Sequence, residues 1–258
     1  MNPEIRFSNG STYEQMMGVW SRKVGDAFLT WLAPPSGERW IDVGCGSGAF
    51  TELLIERVKP LSITGVDPSA PQVDYAKKRP GAAAARFEVG DAMALPLDTG
   101  SVDHATSGLV VFFMPDPPRG IAEMARVTRA GGTVSSYVWD YLGGGFPYHP
   151  LNAAIAEIGH PPIPPPHPEA AELEALTTLW RDAGLMEVET RVITVERDYP
   201  DFDSYWQMAT TAPVLAPILA ALSPDMLAGV RRAVAARTGG GTGPLRFSAR
   251  AHAVKGRR

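Results

Sequence analysis

The chain has 258 residues, of which 45% are apolar and 20% charged, a globular usage that excludes a disordered tail protein. Its 24 basic and 28 acidic residues leave a net charge of −4, so there is no basic field to grip phosphates and a nucleic-acid partner is not expected. The single cysteine, Cys45, excludes an internal disulfide and suits a reducing compartment. No signal-peptide core and no apolar stretch near the roughly 20 residues of a membrane span are present, so a cytoplasmic protein without membrane insertion is expected.

In chain order, Ser11 with Glu14 forms a capping box, and apolar residues recur at Tyr13, Met17, Trp20, Val24, Phe28 and Trp31, predicting an amphipathic helix from about Thr12 to Leu32 closed by Pro34-Pro35. Strand-like runs follow at 40–43, 63–66, 85–89, 102–107 and 133–139. Helical patterns lie at about 50–58, 70–78 and 118–129. Ser69 with Gln72 is placed to cap the second of these, Asp116 before Pro117 to cap the third, and Gly131-Gly132 to end it. Asp103 is placed to close the turn into the fourth strand. Short apolar strands alternating with helices indicate a doubly wound parallel α/β sheet.

After Tyr141 the texture changes. Gly143-Gly144-Gly145 and six prolines between Pro161 and Pro168 mark a long connection. A helix over 169–183, a strand over 187–199, helices within 203–237, a flexible turn at 239–243 and a last strand over 245–255 complete the chain. The Pro/Gly-rich stretches read as insertions into one domain, 1–258, rather than as linkers between two.

The chemistry concentrates at strand tips. The first strand runs through Asp42 into a turn carrying Gly44, Gly46 and Gly48, as needed where a ligand approaches the backbone. By itself that turn also satisfies a dinucleotide fingerprint, or a tight turn without ligand. Asp67 ends the second strand about twenty residues later, where a carboxylate can accept both ribose hydroxyls. Gly90-Asp91 follows the third strand, where Asp91 can take the exocyclic amine of adenine, with Ala92 and Met93 along the ring edge.

The motifs Asp42-Val-Gly-Cys-Gly-Ser-Gly48, Gly65-Val-Asp-Pro-Ser69, Gly90-Asp-Ala92, Ser107-Gly-Leu-Val-Val-Phe-Phe-Met-Pro-Asp116 and Glu123-Met-Ala-Arg-Val-Thr-Arg-Ala-Gly-Gly132 resemble, in order and spacing over residues 11–140, the class I S-adenosylmethionine-dependent methyltransferases. Within that family the chain most resembles the small-molecule branch that includes the quinone-biosynthesis methyltransferases. The resemblance implies a Rossmann-like methyltransferase fold, a seven-stranded sheet, mostly parallel with an antiparallel last strand, plus helical inserts. It implies that Gly44, Cys45 and Gly46 line the methionine portion of S-adenosyl-L-methionine, with Asp42 supporting the turn or the ammonium group. Asp67 would hold the ribose, flanked by Pro68 and Ser69, and Asp91, Ala92 and Met93 the adenine. Gly108 and Leu109 would sit close to the sulfonium; relatives often carry a polar residue where this chain has Gly108, so a catalytic role there is not carried over. In the first helix Tyr13 is the residue expected to reach the cofactor's carboxylate, with Ser21 and Arg22 as further polar members of a stripe otherwise given to packing.

Phe113, Trp139, Tyr141 and Trp206 are candidate substrate-pocket residues, with inserts 141–170 and 200–243 as the substrate cap. Asp140 ends the fifth strand beside them, and His149 is the candidate general base among the five histidines. No Cys/His cluster has metal-ligand spacing. The expected activity is methyl transfer to O, N or C of a small, partly apolar acceptor. The alternatives are an NAD(P)-dependent oxidoreductase, opposed by Gly90-Asp91 and by the lack of a Tyr-x-x-x-Lys pair, and a non-catalytic S-adenosylmethionine-binding regulator.

Overall fold

The computed structural model describes residues 17–211, 215–241 and 243–258. Tyr13, Ser11 and Glu14 lie outside them. The first described helix, α1 (Val19–Leu32), buries Trp20, Val24, Phe28, Leu29 and Leu32 on one stripe and ends at Ala33, which takes a left-handed φ of 46° and returns its N–H to the Leu29 carbonyl before Pro34-Pro35. Then come β1 (Arg39–Val43), α2 (Ala49–Val58), β2 (Ser62–Asp67), α3 (Ala70–Ala76), β3 (Arg86–Val89), β4 (Val102–Gly108), α4 (Pro117–Val127) and β5 (Thr128–Trp139). The later half adds α5 (His149–Glu157), α6 (Leu173–Asp182), β6 (Met186–Tyr199), α7 (Phe202–Thr210), α8 (Ala216–Ala220), α9 (Pro224–Thr238) and β7 (Leu245–Arg257).

The strands form one seven-stranded sheet in the order β3-β2-β1-β4-β5-β7-β6. β1 to β5 pair in parallel, and β7 runs antiparallel to both β5 and β6. The expected fold, including the antiparallel last strand, is the one found. Helices cover the central strands, which are therefore buried even where polar. There the hydroxyls satisfy one another: Ser107 Oγ donates to Ser136 Oγ at 3.0 Å, Ser136 Oγ to the Ser107 carbonyl at 2.8 Å, and Ser135 Oγ to Thr106 Oγ1 at 3.3 Å.

Four local expectations are corrected. Ser69 precedes α3 but its hydroxyl makes no capping bond; its backbone N–H donates to the Asp67 carboxylate. Gly131-Gly132 do not end α4, which stops at Val127; they lie inside β5, where a Cβ on Gly132 would come within 2.6 Å of the Asp103 carbonyl. Asp103 does not close a turn; it is the second residue of β4 and binds the guanidinium groups of Arg39 and Arg129, which hold its carboxyl well below the usual range. The helix expected from 169 begins as a single 3-10 turn, Pro168–Ala171, before α6. Asp116 does cap α4, accepting the Arg119 N–H, with Pro117 at the first helical position.

Between β1 and β4 the chain reverses its direction of travel across the sheet, and the two tips face each other there. Open α/β sheets bind ligands in the crevice beyond such a switch point.

Candidate functional site

The β1 tip is shaped by its glycines. Gly44 has φ +75° and lies against the β4 tip so closely that an added Cβ would meet Val110 side-chain carbons at 2.5 and 2.6 Å. Gly48, at φ +80°, packs on Ala76 and Phe87. Gly46, at φ +51°, is different: nothing lies within 4 Å of where its Cβ would stand. Two of the three glycines are needed for packing, and the middle one leaves open space above a bare backbone.

That turn is tied to β2. The N–H groups of Gly44 and Cys45 both donate to the Val66 carbonyl, at 2.7 and 3.1 Å. Asp67 Oδ2 accepts from Gly46 N at 2.9 Å and Oδ1 from Ser69 N at 2.9 Å. Burial pushes the Asp67 carboxyl up while these two amides pull it back down. Pro68 is exposed and Ser69 half-buried beside it. Across the crevice Asp91 is exposed, and its Oδ1 accepts the Met93 N–H at 2.9 Å, with Ala92 half-buried between them.

Asp42 is fully buried beneath the turn and accepts from Thr51 Oγ1 at 2.6 Å. Desolvation pushes its carboxyl up to about 7, opposed by the Thr51 bond and aided by the charge of Asp67. The Cys45 side chain does not face the crevice. It belongs to a small core with Val73, Ala76, Ala82 and Phe87, where burial drives the thiol pKa upward, so only its backbone is available to a ligand.

Opposite, at the β4 tip, Gly108 is held to having no side chain: a Cβ would lie 2.7 Å from the Tyr137 hydroxyl and 3.1 Å from Phe50. Leu109 takes a left-handed φ of 65°, a strained conformation for a branched residue, fixed by its N–H to the Tyr137 carbonyl at 2.7 Å. Phe113 is half-buried in the following turn, edge-on to Phe112 at 4.5 Å. The proline-rich insert returns to this tip, with His167 N donating to the Phe112 carbonyl at 3.0 Å.

Of the other pocket candidates, Trp139 is 2% exposed in the main core. Tyr141 and Trp206 stand at the two ends of a run of ring contacts, Tyr141–Phe146–Tyr148–Tyr205–Phe202–Trp206, at centroid spacings of 6.0, 6.0, 6.3, 6.2 and 6.1 Å. The two inserts therefore share one aromatic seam. Asp140 is not available as a reactive carboxylate, since Arg250 and the Gly143 N–H occupy its oxygens. His149 is exposed at the start of α5 and lies beside Gly144. Arg22 is drawn away to Glu56 on α2 at 2.6 Å.

Sequence reasoning missed Thr51, which holds Asp42, and Arg79, which ties the Ser47 carbonyl to Glu52 under the turn. An arginine with no motif around it gives no advance sign of such a bridge. A cavity of about 370 Å³ opens at the other end of the sheet, lined by Glu38, Asp103, His104, Arg129 and Lys255. Several of its polar groups are paired: Arg129 with Asp103, Glu38 with His104, and Lys255 with Glu189. Among the described residues no group of His, Cys, Asp or Glu could hold a metal ion, and no helix is long and apolar enough to cross a membrane.

Residues 41–136 match a family model described as a methyltransferase domain. Over 128 residues the chain is 34% identical to the malonyl-[acyl-carrier protein] O-methyltransferase of Serratia marcescens, covering 50% of this chain and 49% of that protein. Over 129 residues it is 34% identical to the demethylmenaquinone methyltransferase of Roseiflexus castenholzii, covering 48% and 54%. The matched part thus spans about half the length of these relatives. The fold is similar to that of Haemonchus contortus phosphoethanolamine N-methyltransferase 2, solved with phosphomonomethylethanolamine and S-adenosylhomocysteine, at a TM-score of 0.60 and 16% identity over 96% of this chain and 56% of that one.

Proposed function

We propose that this chain, whose residues 41–136 carry a methyltransferase domain on a class I Rossmann-like sheet, transfers a methyl group from S-adenosyl-L-methionine to O, N or C of a small, partly apolar acceptor. The observation that carries this is the pairing of an open Gly46 backbone with the Asp67 carboxylate across from the exposed Asp91. That set fits an adenosine: close backbone approach at the turn, an acceptor for ribose hydroxyls at the β2 tip, and an acceptor for an exocyclic amine at the β3 tip. Asp42 and the Gly44–Gly46 backbone serve the methionine end, Pro68 and Ser69 flank the ribose, and Ala92 and Met93 border the adenine. Gly108, which has no side chain, and Leu109 would sit close to the sulfonium.

The cosubstrate, when bound, supplies a methyl group already activated on a sulfonium. The protein's task is to orient the acceptor in line and keep water out. Residues 11–140 form the cofactor-binding core, and inserts 141–170 and 200–243 the cap. The aromatic seam between Tyr141 and Trp206 supports that division. His149 is the group to test as a base where the acceptor needs one. The single cysteine supports a cytoplasmic location.

Calorimetric titration tests the reading: S-adenosylhomocysteine should bind at micromolar concentration and NADH should not. Binding of NADH alone would establish the oxidoreductase alternative. Tight binding with no methyl transfer across a broad acceptor panel would favour a regulator.

A further inference from the structure

Under the cap, a second set of polar groups converges that the cofactor site does not use. α1 ends with Leu32 and Ala33 at the cavity near the amino ends of the strands, so its opposite end, with Trp20, lies toward their carboxyl ends. There Trp20 comes up to Tyr199 at the end of β6, and the Tyr148 hydroxyl adjoins that of Tyr199. The Arg197 guanidinium carbon stands 4.7 Å over the Tyr199 ring, and the rings of Tyr199 and Tyr205 meet edge-on at 5.4 Å.

These groups are buried yet incompletely bonded. Trp20 and Tyr205 are 0% exposed and Tyr199 3%. Trp20 Nε1, Tyr199 Oη, Tyr205 Oη and Arg197 Nη1 all lie out of solvent, and none completes a hydrogen bond of normal geometry among the described residues. Tyr and Trp usually find a partner when buried, so several orphans in one place call for one. Their chemistry favours donation. The indole and guanidinium can only donate, and burial raises the pKa of Tyr148, Tyr199 and Tyr205, keeping their protons available. Among the described residues Arg197 has no ion-pair partner.

We infer that Trp20, Arg197, Tyr199 and Tyr205, bordered by Tyr148, form a recognition site for an organic oxyanion, a carboxylate or an acidic phenolate, carried on an otherwise apolar acceptor. The indole and guanidinium only donate and the phenols can donate as well, so an oxyanion satisfies several of these groups together, through charge-assisted bonds that a neutral ligand lacks. The β4 and β6 tips are three strand spacings apart, roughly 14 Å. The site therefore anchors the acceptor at a distance from the transferred methyl, and its residues are positioning residues. This deepens the methyltransferase reading and rests on it in taking the bound anion to be the methyl acceptor.

The test is calorimetric titration of the full chain, saturated with S-adenosylhomocysteine, at mildly alkaline pH. Two matched pairs are compared: para-butylbenzoate against para-butylbenzamide, and para-nitrophenolate against para-nitroanisole. One or both anions should bind about tenfold or more tightly than their neutral partners, and the pair that does so tells carboxylate from phenolate. Arg197→Gln should erase the preference and Tyr205→Phe should shrink it several-fold, each variant checked for native circular dichroism. The inference is overturned by equal binding within both pairs, by no anion binding up to millimolar concentration, or by a preference that survives both substitutions. The same titrations without the nucleoside separate the two readings: a chain that prefers the anions but never takes S-adenosylhomocysteine overturns the methyltransferase reading and leaves the anion site standing.

Discussion

The carboxylate of Asp67 joins two turns by accepting one backbone N–H from each, that of Gly46 and that of Ser69, both at 2.9 Å. One side chain thus sets the height of the glycine turn relative to the β2 tip. Asp67→Ala should remove both the turn's brace and the proposed ribose contact, weakening S-adenosylhomocysteine binding by about 1.5–3 kcal/mol, roughly ten- to a hundred-fold. Asp67→Asn keeps one accepting oxygen but offers an NH2 to an amide that needs an acceptor, and should lose most of the same affinity. Calorimetric affinities equal to those of the parent chain would remove the ribose assignment.

The glycines of the turn should separate fold from binding. Gly44→Ala drives a methyl group into Val110 at a positive φ, so it should destabilise the fold as an overpacked core does, by about 1–3 kcal/mol, and lower the unfolding midpoint accordingly. In Gly46→Val the new Cβ meets no protein atom within 4 Å, and the substitution costs about 1–2 kcal/mol for its left-handed backbone. Yet it should abolish nucleoside binding by filling the open space. Thermal melts with and without S-adenosylhomocysteine read both effects: a ligand-induced rise in midpoint should persist for any Gly44→Ala protein that folds and vanish for Gly46→Val.

How far the sequence carried follows from what each residue depends on. The places of the glycine turn, Asp67 and Asp91 at successive strand tips were legible because they depend on backbone within a few residues, at a spacing set by one strand and one helix. The sheet's class was legible down to the antiparallel β7, because apolar strands alternating with helices leave few topologies and the resemblance selects among them. The Asp103 pairings were not legible: the carboxylate is claimed by Arg39 from 64 positions away and by Arg129 from 26, a contact no local pattern encodes. The convergence of Trp20, Tyr148, Arg197, Tyr199 and Tyr205 depends likewise on the packing of four separate segments. Trp206 and Tyr141 could be singled out from the inserts, while the rings joining them, Phe146, Tyr148, Tyr205 and Phe202, gave no periodic signal of their own.

Gly108 and Tyr137 form a second coupled pair. Gly108→Ala would place its methyl 2.7 Å from the Tyr137 hydroxyl and 2.9 Å from the ring carbon that bears it, costing about 1–3 kcal/mol of stability. Tyr137→Phe deletes the hydroxyl and so should recover part of that loss in the double variant. Chemical denaturation of all four proteins gives the coupling. A coupling near zero would mean that the tip relaxes freely and that Gly108 is not required by packing.

Asp42 makes stability and binding depend on pH. Its carboxyl titrates near 3.8 when solvated and is pushed up to about 7 in the fold, chiefly by desolvation. The native state therefore holds a proton that the unfolded chain has released between those values. The stability that Asp42 contributes is full below about pH 4 and is lost as pH rises toward 7, by on the order of 3–4 kcal/mol. Asp42→Asn mimics the protonated form and can still accept from Thr51, so its unfolding free energy should decline much less over that window and exceed the parent's near pH 8. Of the two roles the resemblance implies for Asp42, bracing the turn or supporting the cosubstrate's ammonium group, the second predicts that binding expels that proton. Calorimetry near pH 6 in buffers of different ionisation enthalpy should then register proton release with the parent chain and little with Asp42→Asn. Parent and variant with the same stability slope and the same proton count would show that Asp42 stays ionised in the fold and takes no part in either effect.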